Sequence, residues 1–355
     1  MSSPSKMAGL RAALVITLLG LVVRVLAWPC APDTWDGVGF VDAVTTFDLA
    51  SFRPHAPGYP LYVGLARLVH LLGVSPLHAV VTASCLASAL APLAGFAIVA
   101  RITDGKDRGA AVLTAAILAF SPGLVVSSVA TLSDGPALGL ALASYACALD
   151  RRATAPLFTG LLAAASVGVR PSGVLVLAPA VLVLAHRHRL PGLLRGALWS
   201  TFGVLAWVIP TALVLGGRRW VALTREQVAG HLAQFGESDA VWTQGRSTAH
   251  AFFESIALQL FGVEGRAGVA LGALLVLVVV FAGFDLAVRL RRRALLVALA
   301  VPLPFSIGIA WSQPIAAAPR HALPITTAVV VIAGLCLAHA SALVAGGVAR
   351  ALAIV

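Results

Sequence analysis

Charge is what this sequence has least of. Only 11% of its 355 residues are Asp, Glu, Lys or Arg, against roughly 25% in soluble domains, and 59% are apolar. A soluble fold is excluded. Aromatic residues are also scarce, at 7%, and too few fall in polar segments to offer a sugar-stacking platform. The four cysteines, Cys30, Cys85, Cys147 and Cys336, stand singly with no Cys-x-x-Cys spacing, so neither a disulfide framework nor a metal knot is expected. The net charge of +11 would suggest nucleic acid in a soluble protein. In a membrane chain it must first be sorted by side of the bilayer, and no nucleic-acid partner is expected.

What is present is a succession of apolar runs along nearly the whole length, so the chain reads as an all-α polytopic membrane protein embedded in the lipid bilayer. Residues 8–28 form the first run, with Lys6 and Arg11 positioned to stay cytoplasmic. A cleaved signal peptide is the competing reading. It is disfavoured because the run is long for a signal core, Arg24 interrupts it, and no small-x-small site follows Ala27. The next bilayer-length run, 77–100, ends at Arg101, Lys106 and Arg108. That leaves 29–76 as a long first external loop, and its part from Tyr59 to Leu72, amphipathic with Arg67 and His70, is expected to be a helix lying in the membrane interface. Alternation then continues through 110–130, 135–149, 154–169, 172–186 and 197–216. A second external loop covers 217–265, and 267–288, 294–312 and 322–345 complete about ten spans in a single domain, 1–355. Both termini are expected to be cytoplasmic.

Sorted on this topology, the cytoplasmic side holds 15 Lys and Arg against 4 acids (Asp104, Asp107, Asp150 and Asp285), and the other side holds 10 against 10. The whole excess is cytoplasmic, as the positive-inside rule requires. Spans 154–169 and 172–186 are short, roughly 22 to 24 Å at 1.5 Å per residue against about 30 Å of hydrocarbon. The turn between them, Arg170-Pro171-Ser172-Gly173, is therefore expected to dip below the outer surface, which backbone tolerates only where it lines a cavity.

Groups suited to chemistry concentrate in the first external loop. Asp33, Asp36, Asp42 and Asp48 precede Arg53 and His55, and Pro54, Pro57 and Pro60 make the following strip rigid and non-helical. A lone loop Asp is ordinarily solvated or caps a helix, as Asp48 could. Asp36 differs because it stands before the apolar stretch Val38 to Phe47. Held at the bilayer surface, such a carboxylate gains affinity for protons and suits a base. Asp33 and Asp36, three residues apart, leave a divalent cation open, although two carboxylates are a weak metal signal.

The residues Asp36-x-x-x-Phe40, Phe47-Asp48 and Arg53-Pro54-His55-Ala56-Pro57-Gly58-Tyr59-Pro60-Leu61-Tyr62 resemble the first-loop signature of bacterial membrane glycosyltransferases of the GT-C superfamily, relatives of the protein O-mannosyltransferases and aminoarabinose transferases. Two departures are Ala56, where His-Pro-Pro is usual, and Gly39, where a polar residue is expected. The resemblance implies a GT-C-like bundle in the bacterial inner membrane with its active site external. It implies an inverting glycosyltransferase that takes a sugar, a hexose such as mannose, from a polyprenyl-phosphate donor, with Asp36 as the general base. The acceptor, whether protein, glycan or lipid, is left unnamed.

Phosphate leaves readily when fixed cations meet its charge. The outward arginines are Arg24, Arg53, Arg67, Arg170 and Arg320, each more ordinarily a snorkelling or headgroup-contacting side chain. Arg170 tops two short spans, and Arg320 lies in Pro319-Arg320-His321-Ala322-Leu323-Pro324, which resembles the Arg-Tyr-x-x-Pro start of a late span in related transferases, with His321 replacing Tyr. These two are expected on the substrate, together with Asp33, His55, Tyr59 and Asp134. His55 would bridge phosphate or orient Asp36, and Asp134 would otherwise serve as an N-cap. Arg225, Glu226, Glu237, Asp239 and Trp242 in the second loop suggest an acceptor lid. The alternative is a membrane transporter or lipid flippase, which calls for mid-membrane ionisable groups and paired broken helices. Here the acids cluster in an external loop. A structural scaffold accounts for the hydrophobicity but not for the strip from Asp36 to Tyr62.

Overall fold

The computed structural model describes residues 4–235, 248–290 and 318–354, and among them the protein is helical, with one isolated bridge between Asp48 and Arg53 and no strand. The helices are α1 (Pro4–Leu26), α2 (Trp35–Thr45), α3 (Pro60–His70), α4 (Pro76–Ser88), α5 (Leu90–Ile102), α6 (Arg108–Phe120), α7 (Pro122–Val129), α8 (Asp134–Ala148), α9 (Ala155–Val169), α10 (Ala178–Leu215), α11 (Gly217–Phe235), α12 (Thr248–Phe261), α13 (Gly265–Leu290), the short α14 (Ala318–His321) and α15 (Leu323–Ile354).

Local chemistry sets many of these boundaries. Asp107 accepts from the Ala110 amide at 2.9 Å and opens α6, while prolines in the first turn start α3, α4, α7 and α9, where the missing N–H costs nothing. Pro122 also ends α6. The α6–α7 pair is bent by 51° at Ser121, because proline removes a ladder bond and restricts the residue before it.

Among the described residues five helical stretches are long and apolar enough to cross a membrane: Met7–Leu26, Pro76–Ile102, Pro171–Leu215, Gly265–Ala282 and Leu323–Ser341. The bent α6–α7 pair makes a sixth if it is one span. Helices α8 and α9, 15 residues each, occupy two expected spans but are short of bilayer length. The backbone leaves the helix at Arg189 (φ 56°, ψ −166°), which divides α10 where the sequence separates 172–186 from 197–216. The span expected at 294–312 lies outside the described residues. Large apolar side chains stand exposed along α1 (Val15, Leu18, Val22), α10 (Leu198, Phe202, Ile209) and α13 (Leu274, Val278, Phe281). Contiguous faces of this kind suit lipid rather than water.

Two hydrophobic clusters are the largest of five among the described residues. One joins α1, α5, α6, α8, α10 and α15 through small and branched residues such as Ala13, Ile98, Val99, Ala111, Ala146, Val183 and Val331. The other joins α2, the Pro-rich strip, α3, α4 and the start of α8 through Phe40, Val44, Tyr59, Tyr62, Val63, Val80 and Ala137. Burying the larger of these side chains stabilises by roughly 1.5–3 kcal/mol each, so the 29–76 segment is packed structure. The segment 217–265 is likewise helical over α11 and α12. Ile256 and Ala257 of α12 are fully buried, beside Ser255 and Gln259. The polar residues on this inner face hide its helical pattern in the sequence.

Candidate functional site

Asp36 is placed by the first turn of α2. Thr34 caps that helix by accepting from the Gly37 amide at 3.0 Å, which satisfies one of its orphan N–H groups. Gly37 and Gly39 then let α2 lie against its neighbours. A Cβ on Gly37 would stand 2.0 Å from the Thr131 hydroxyl, and one on Gly39 would stand 2.6 Å from the Phe52 carbonyl. The departure at Gly39 thus has a packing reason: no side chain fits between α2 and the strip.

The strip turns at Gly58 (φ 104°) and Tyr59 (φ 47°, ψ 52°) before Pro60 opens α3. A non-glycine residue in the left-handed region costs of order 1–3 kcal/mol; here it points the buried Tyr59 ring back at His55, whose Nε2 lies 2.8 Å from the Tyr59 hydroxyl. Phe40 packs edge-on against Tyr59 and Tyr62 and tilts against His55.

Four charged residues from four parts of the chain meet at Asp36. Arg320 of α14 donates from both terminal nitrogens to Asp36 Oδ2, at 3.0 and 3.1 Å, and its Nε lies 3.9 Å from Asp134 Oδ2. Arg170, which ends α9, donates to Asp134 at 3.2 Å and to the Ser133 hydroxyl at 3.2 Å. On the other side of Asp36, His55 Nδ1 is 3.7 Å from Oδ1. The result is one chain, Tyr59–His55–Asp36–Arg320–Asp134–Arg170. The side chains of Asp36, His55 and Arg320 keep 31%, 28% and 26% of their surface exposed, so small polar groups can reach them.

Electrostatics correct the expected proton affinity of Asp36. Burial favours its neutral acid, but His55 in its protonated form, Arg320 and Arg170 outweigh that and hold the carboxyl below the usual carboxylate range. The two carboxylates in turn outweigh burial at Arg320 and strengthen its hold on the proton. Burial pushes the Tyr59 phenol up and pushes the neighbouring His321 imidazole down to about 3. His321 is therefore a neutral ring beside a charged cluster. It takes the place of an expected Tyr, and sequence spacing alone gives it no role.

The other candidates fall elsewhere. Asp33 is exposed and accepts from the Thr131 hydroxyl at 3.3 Å. Asp42 pairs with Arg53 at 3.5 Å, and Asp48 caps the turn at Leu49–Ser51 through the Ala50 amide and the Ser51 hydroxyl. Arg67 caps the end of α2, donating to the Ala43 and Val44 carbonyls. Arg24 is fully buried and bonds the Gly20 and Ala119 carbonyls, so it neither snorkels nor meets a headgroup. Of the five outward arginines only Arg170 and Arg320 reach Asp36 and Asp134. Among the described residues no cluster of three or more His, Cys, Asp or Glu is arranged to hold a metal ion. Two carboxylates matched by two guanidinium groups suit a cationic side chain between them rather than a dication.

Residues of α11 were not legible as partners of the strip. Gln227 accepts from the Ala56 amide at 2.5 Å and donates to the Leu49 carbonyl at 2.6 Å, while the Trp220 indole donates to the Pro57 carbonyl at 2.9 Å. Proline at 56 would have no N–H to give, so the departure at Ala56 pairs with Gln227. Arg225 and Glu226 are exposed on the same helix; Glu237, Asp239 and Trp242 lie outside the described residues.

No protein-family model and no curated protein matches this chain. Its fold has solved counterparts. The apo structure of the Archaeoglobus fulgidus oligosaccharyltransferase superposes with a TM-score of 0.58 at 15% identity, covering 100% of this chain and 53% of that one. Its complex with zinc and sulfate gives 0.58 at 16%, covering 97% and 51%. The same organism's archaeal oligosaccharyltransferase AglB, in complex with an inhibitory peptide and a dolichol-phosphate, gives 0.58 at 14%, covering 99% and 52%. The chain thus shares the fold of an oligosaccharyltransferase and spans about half of that protein's length.

Proposed function

We propose that this protein is a GT-C-type membrane glycosyltransferase that moves a sugar from a polyprenyl-phosphate donor to an acceptor at the external face of the membrane. The observation that carries the reading is the ion-pair chain Asp36–Arg320–Asp134–Arg170, gathered beside a strip that resembles a transferase signature, on a fold shared with an oligosaccharyltransferase. The solved AglB complex holds a dolichol-phosphate and a peptide, which favours a lipid-phosphate donor. The charge bias of the sequence favours an external site and cytoplasmic termini, with the whole chain acting as one transmembrane domain and α3 lying in the interface.

In this reading Arg320 and Arg170 meet the donor phosphate, each offering a planar set of N–H donors that suits paired phosphate oxygens. Asp134 keeps both guanidinium groups in place. Asp36 receives the hydrogen of the acceptor hydroxyl, whose oxygen attacks the anomeric carbon as the bond to the phosphate oxygen breaks, with that oxygen keeping the electron pair. A single displacement inverts the anomeric centre. A lowered proton affinity makes Asp36 a weaker base than a free carboxylate, but it keeps Asp36 ionised and ready to accept. The sugar is a hexose such as mannose. The transporter reading loses ground because the ion pairs around α8 lie at its two ends, while a cavity deeper in the bundle, beside Leu138, Leu142, Val176 and Val331, is apolar.

The test is transfer from a panel of radiolabelled polyprenyl-phosphate sugars into membranes from cells expressing wild type or Asp36→Asn. Signal from one donor, lost by a factor of about 10² to 10⁴ in the variant, supports the enzyme and names its sugar. Wild-type turnover by a folded Asp36→Asn protein would remove Asp36 as the group that takes the proton.

A further inference from the structure

Asp36 is a poor resting place for a proton. Arg320 donates two hydrogen bonds to one of its oxygens, and a proton on the carboxyl would sacrifice that ion pair. The other oxygen, Oδ1, faces His55. We propose that His55 is the terminal proton acceptor of the transfer, with Tyr59 as the positioning residue that holds its ring; the inference rests on the transferase reading given above and names the second group in its proton path.

The geometry supplies each part. His55 Nδ1 stands 3.7 Å from Asp36 Oδ1, and both side chains keep roughly three-tenths of their surface exposed, so a hydroxyl delivered to Asp36 also arrives within reach of the imidazole. Catalytic hydrogen bonds are often long before substrate closes them. The far nitrogen, Nε2, is 2.8 Å from the hydroxyl of the buried Tyr59. With Nε2–H donating to that oxygen, the lone pair of Nδ1 faces Asp36. The ring is fixed laterally, since Phe40 lies 5.6 Å away by centroids and Tyr59 lies 4.7 Å away in an edge contact.

The step balances. The acceptor O–H breaks, its oxygen bonds to the anomeric carbon, and the lipid phosphate leaves with the electron pair of the broken C–O bond, facing Arg170 and Arg320. The proton passes through Asp36 to Nδ1. Imidazolium then sits between the Asp36 carboxylate and the Tyr59 oxygen, both acceptors, and Asp36 recovers its pairing with Arg320. An ordinary imidazole binds a proton more tightly than an ordinary carboxylate by about 2.5 pKa units, so the direction of travel is downhill before the surrounding charges are counted. Among the described groups those facing the ring are the Asp36 carboxylate on α2 and the Tyr59 hydroxyl on the strip, with the Arg320, Asp134 and Arg170 charges of α14, α8 and α9 beyond Asp36. The imidazolium returns its proton to water from its exposed edge.

The experiment uses the full chain in proteoliposomes with whichever donor wild type consumes. His55→Ala is expected to lower kcat about 10²-fold or more with donor KM within a few-fold, and added imidazole is expected to restore turnover. Wild-type kcat/KM should fall on the acid side as the ring becomes protonated before substrate arrives, and that limb should vanish in His55→Ala. Tyr59→Phe, which leaves the ring in place but removes an acceptor for the imidazolium, should move the limb to lower pH. Near-normal kcat in His55→Ala, full activity in His55→Asn, no response to imidazole, or an unmoved limb in Tyr59→Phe would each overturn the proposal. Absence of transfer by wild type from any donor would instead remove the transferase reading, and this inference with it.

Discussion

The two ends of α8 carry the same residue types and do different things with them. At its C-terminal end Arg101 pairs with Asp150 at 2.9 Å, but it also donates to the Ala146 carbonyl at 2.6 Å. Arg187 donates to the Leu149 carbonyl at 2.5 Å, and His188 meets the Asp150 carbonyl at 2.8 Å. These side chains address carbonyls at a helix C-terminus, and the two arginines also meet its negative dipole, so they act as caps. At the N-terminal end Arg170 and Arg320 address carboxylates instead, Asp134 and Asp36, in a chain that continues to a partly exposed imidazole. An arginine spent on backbone is structural. An arginine shared between two carboxylates with an open side can exchange one of them for a substrate phosphate.

The comparison breaks most visibly at Arg320. Its removal leaves two partly buried carboxylates, Asp36 and Asp134, without their shared cation, and a phosphate would have to approach them. Arg320→Ala is therefore expected to cost about 10²-fold or more in kcat/KM for the donor, with weaker donor binding in equilibrium titration. Unchanged donor affinity would assign this arginine to packing and erase the distinction between the two ends. Arg101→Ala should do the reverse. Losing charged hydrogen bonds to Ala146 and Asp150 is expected to lower stability by about 1.5–3 kcal/mol, read as an earlier thermal transition in detergent, while kcat and KM of the folded fraction stay within a factor of two. A matching loss of turnover at temperatures where the variant is folded would show that the cap also serves the chemistry.

The sequence singled out the strip and Asp33, Asp36, His55, Tyr59, Asp134, Arg170 and Arg320, because polar residues are rare enough in this chain that each one stands out, and the structure gathers all of these but Asp33 into one chain of contacts. It placed the helix at Tyr59–Leu72 close to the observed Pro60–His70, since amphipathic spacing and an N-terminal proline survive any tertiary context. What it could not show was partnership. The pattern around Pro319–Pro324 set Arg320 apart from Arg67 but named no partner for either, and one meets a carboxylate 284 residues away while the other caps α2. Nor does local spacing reveal that the cations around Asp36 would defeat the apolar stretch beside it. The Thr34 cap was readable as the start of α2 but was lost among four neighbouring acids. The helices within 217–265 were hidden because α11 is polar and α12 buries Glu254, Ser255 and Gln259 among its apolar residues.

A finer test lies in α11, whose Gln227 and Trp220 bond to backbone of the strip and its approach and so resemble the capping end of α8 while lying beside the proposed site. Gln227 holds the Ala56 amide and the Leu49 carbonyl together; if these bonds only fasten structure, Gln227→Ala should leave the chemistry alone. The strip, however, carries His55 between the two points that Gln227 grips and Tyr59 two residues beyond the Trp220 contact at Pro57, so a small loosening misplaces both. Each bond contributes about 0.5–1.5 kcal/mol, and Gln227→Ala is expected to lower kcat/KM by roughly 5- to 20-fold with little change in the thermal transition. Ala56→Pro, which removes the amide donor but leaves the Gln227 bond to Leu49, should have the smaller effect. The double variant should be no worse than Gln227→Ala alone, because both substitutions break the same bond. Additive losses would mean that Ala56 and Gln227 act through separate contacts, and that the missing proline at position 56 has a cause other than its tie to α11.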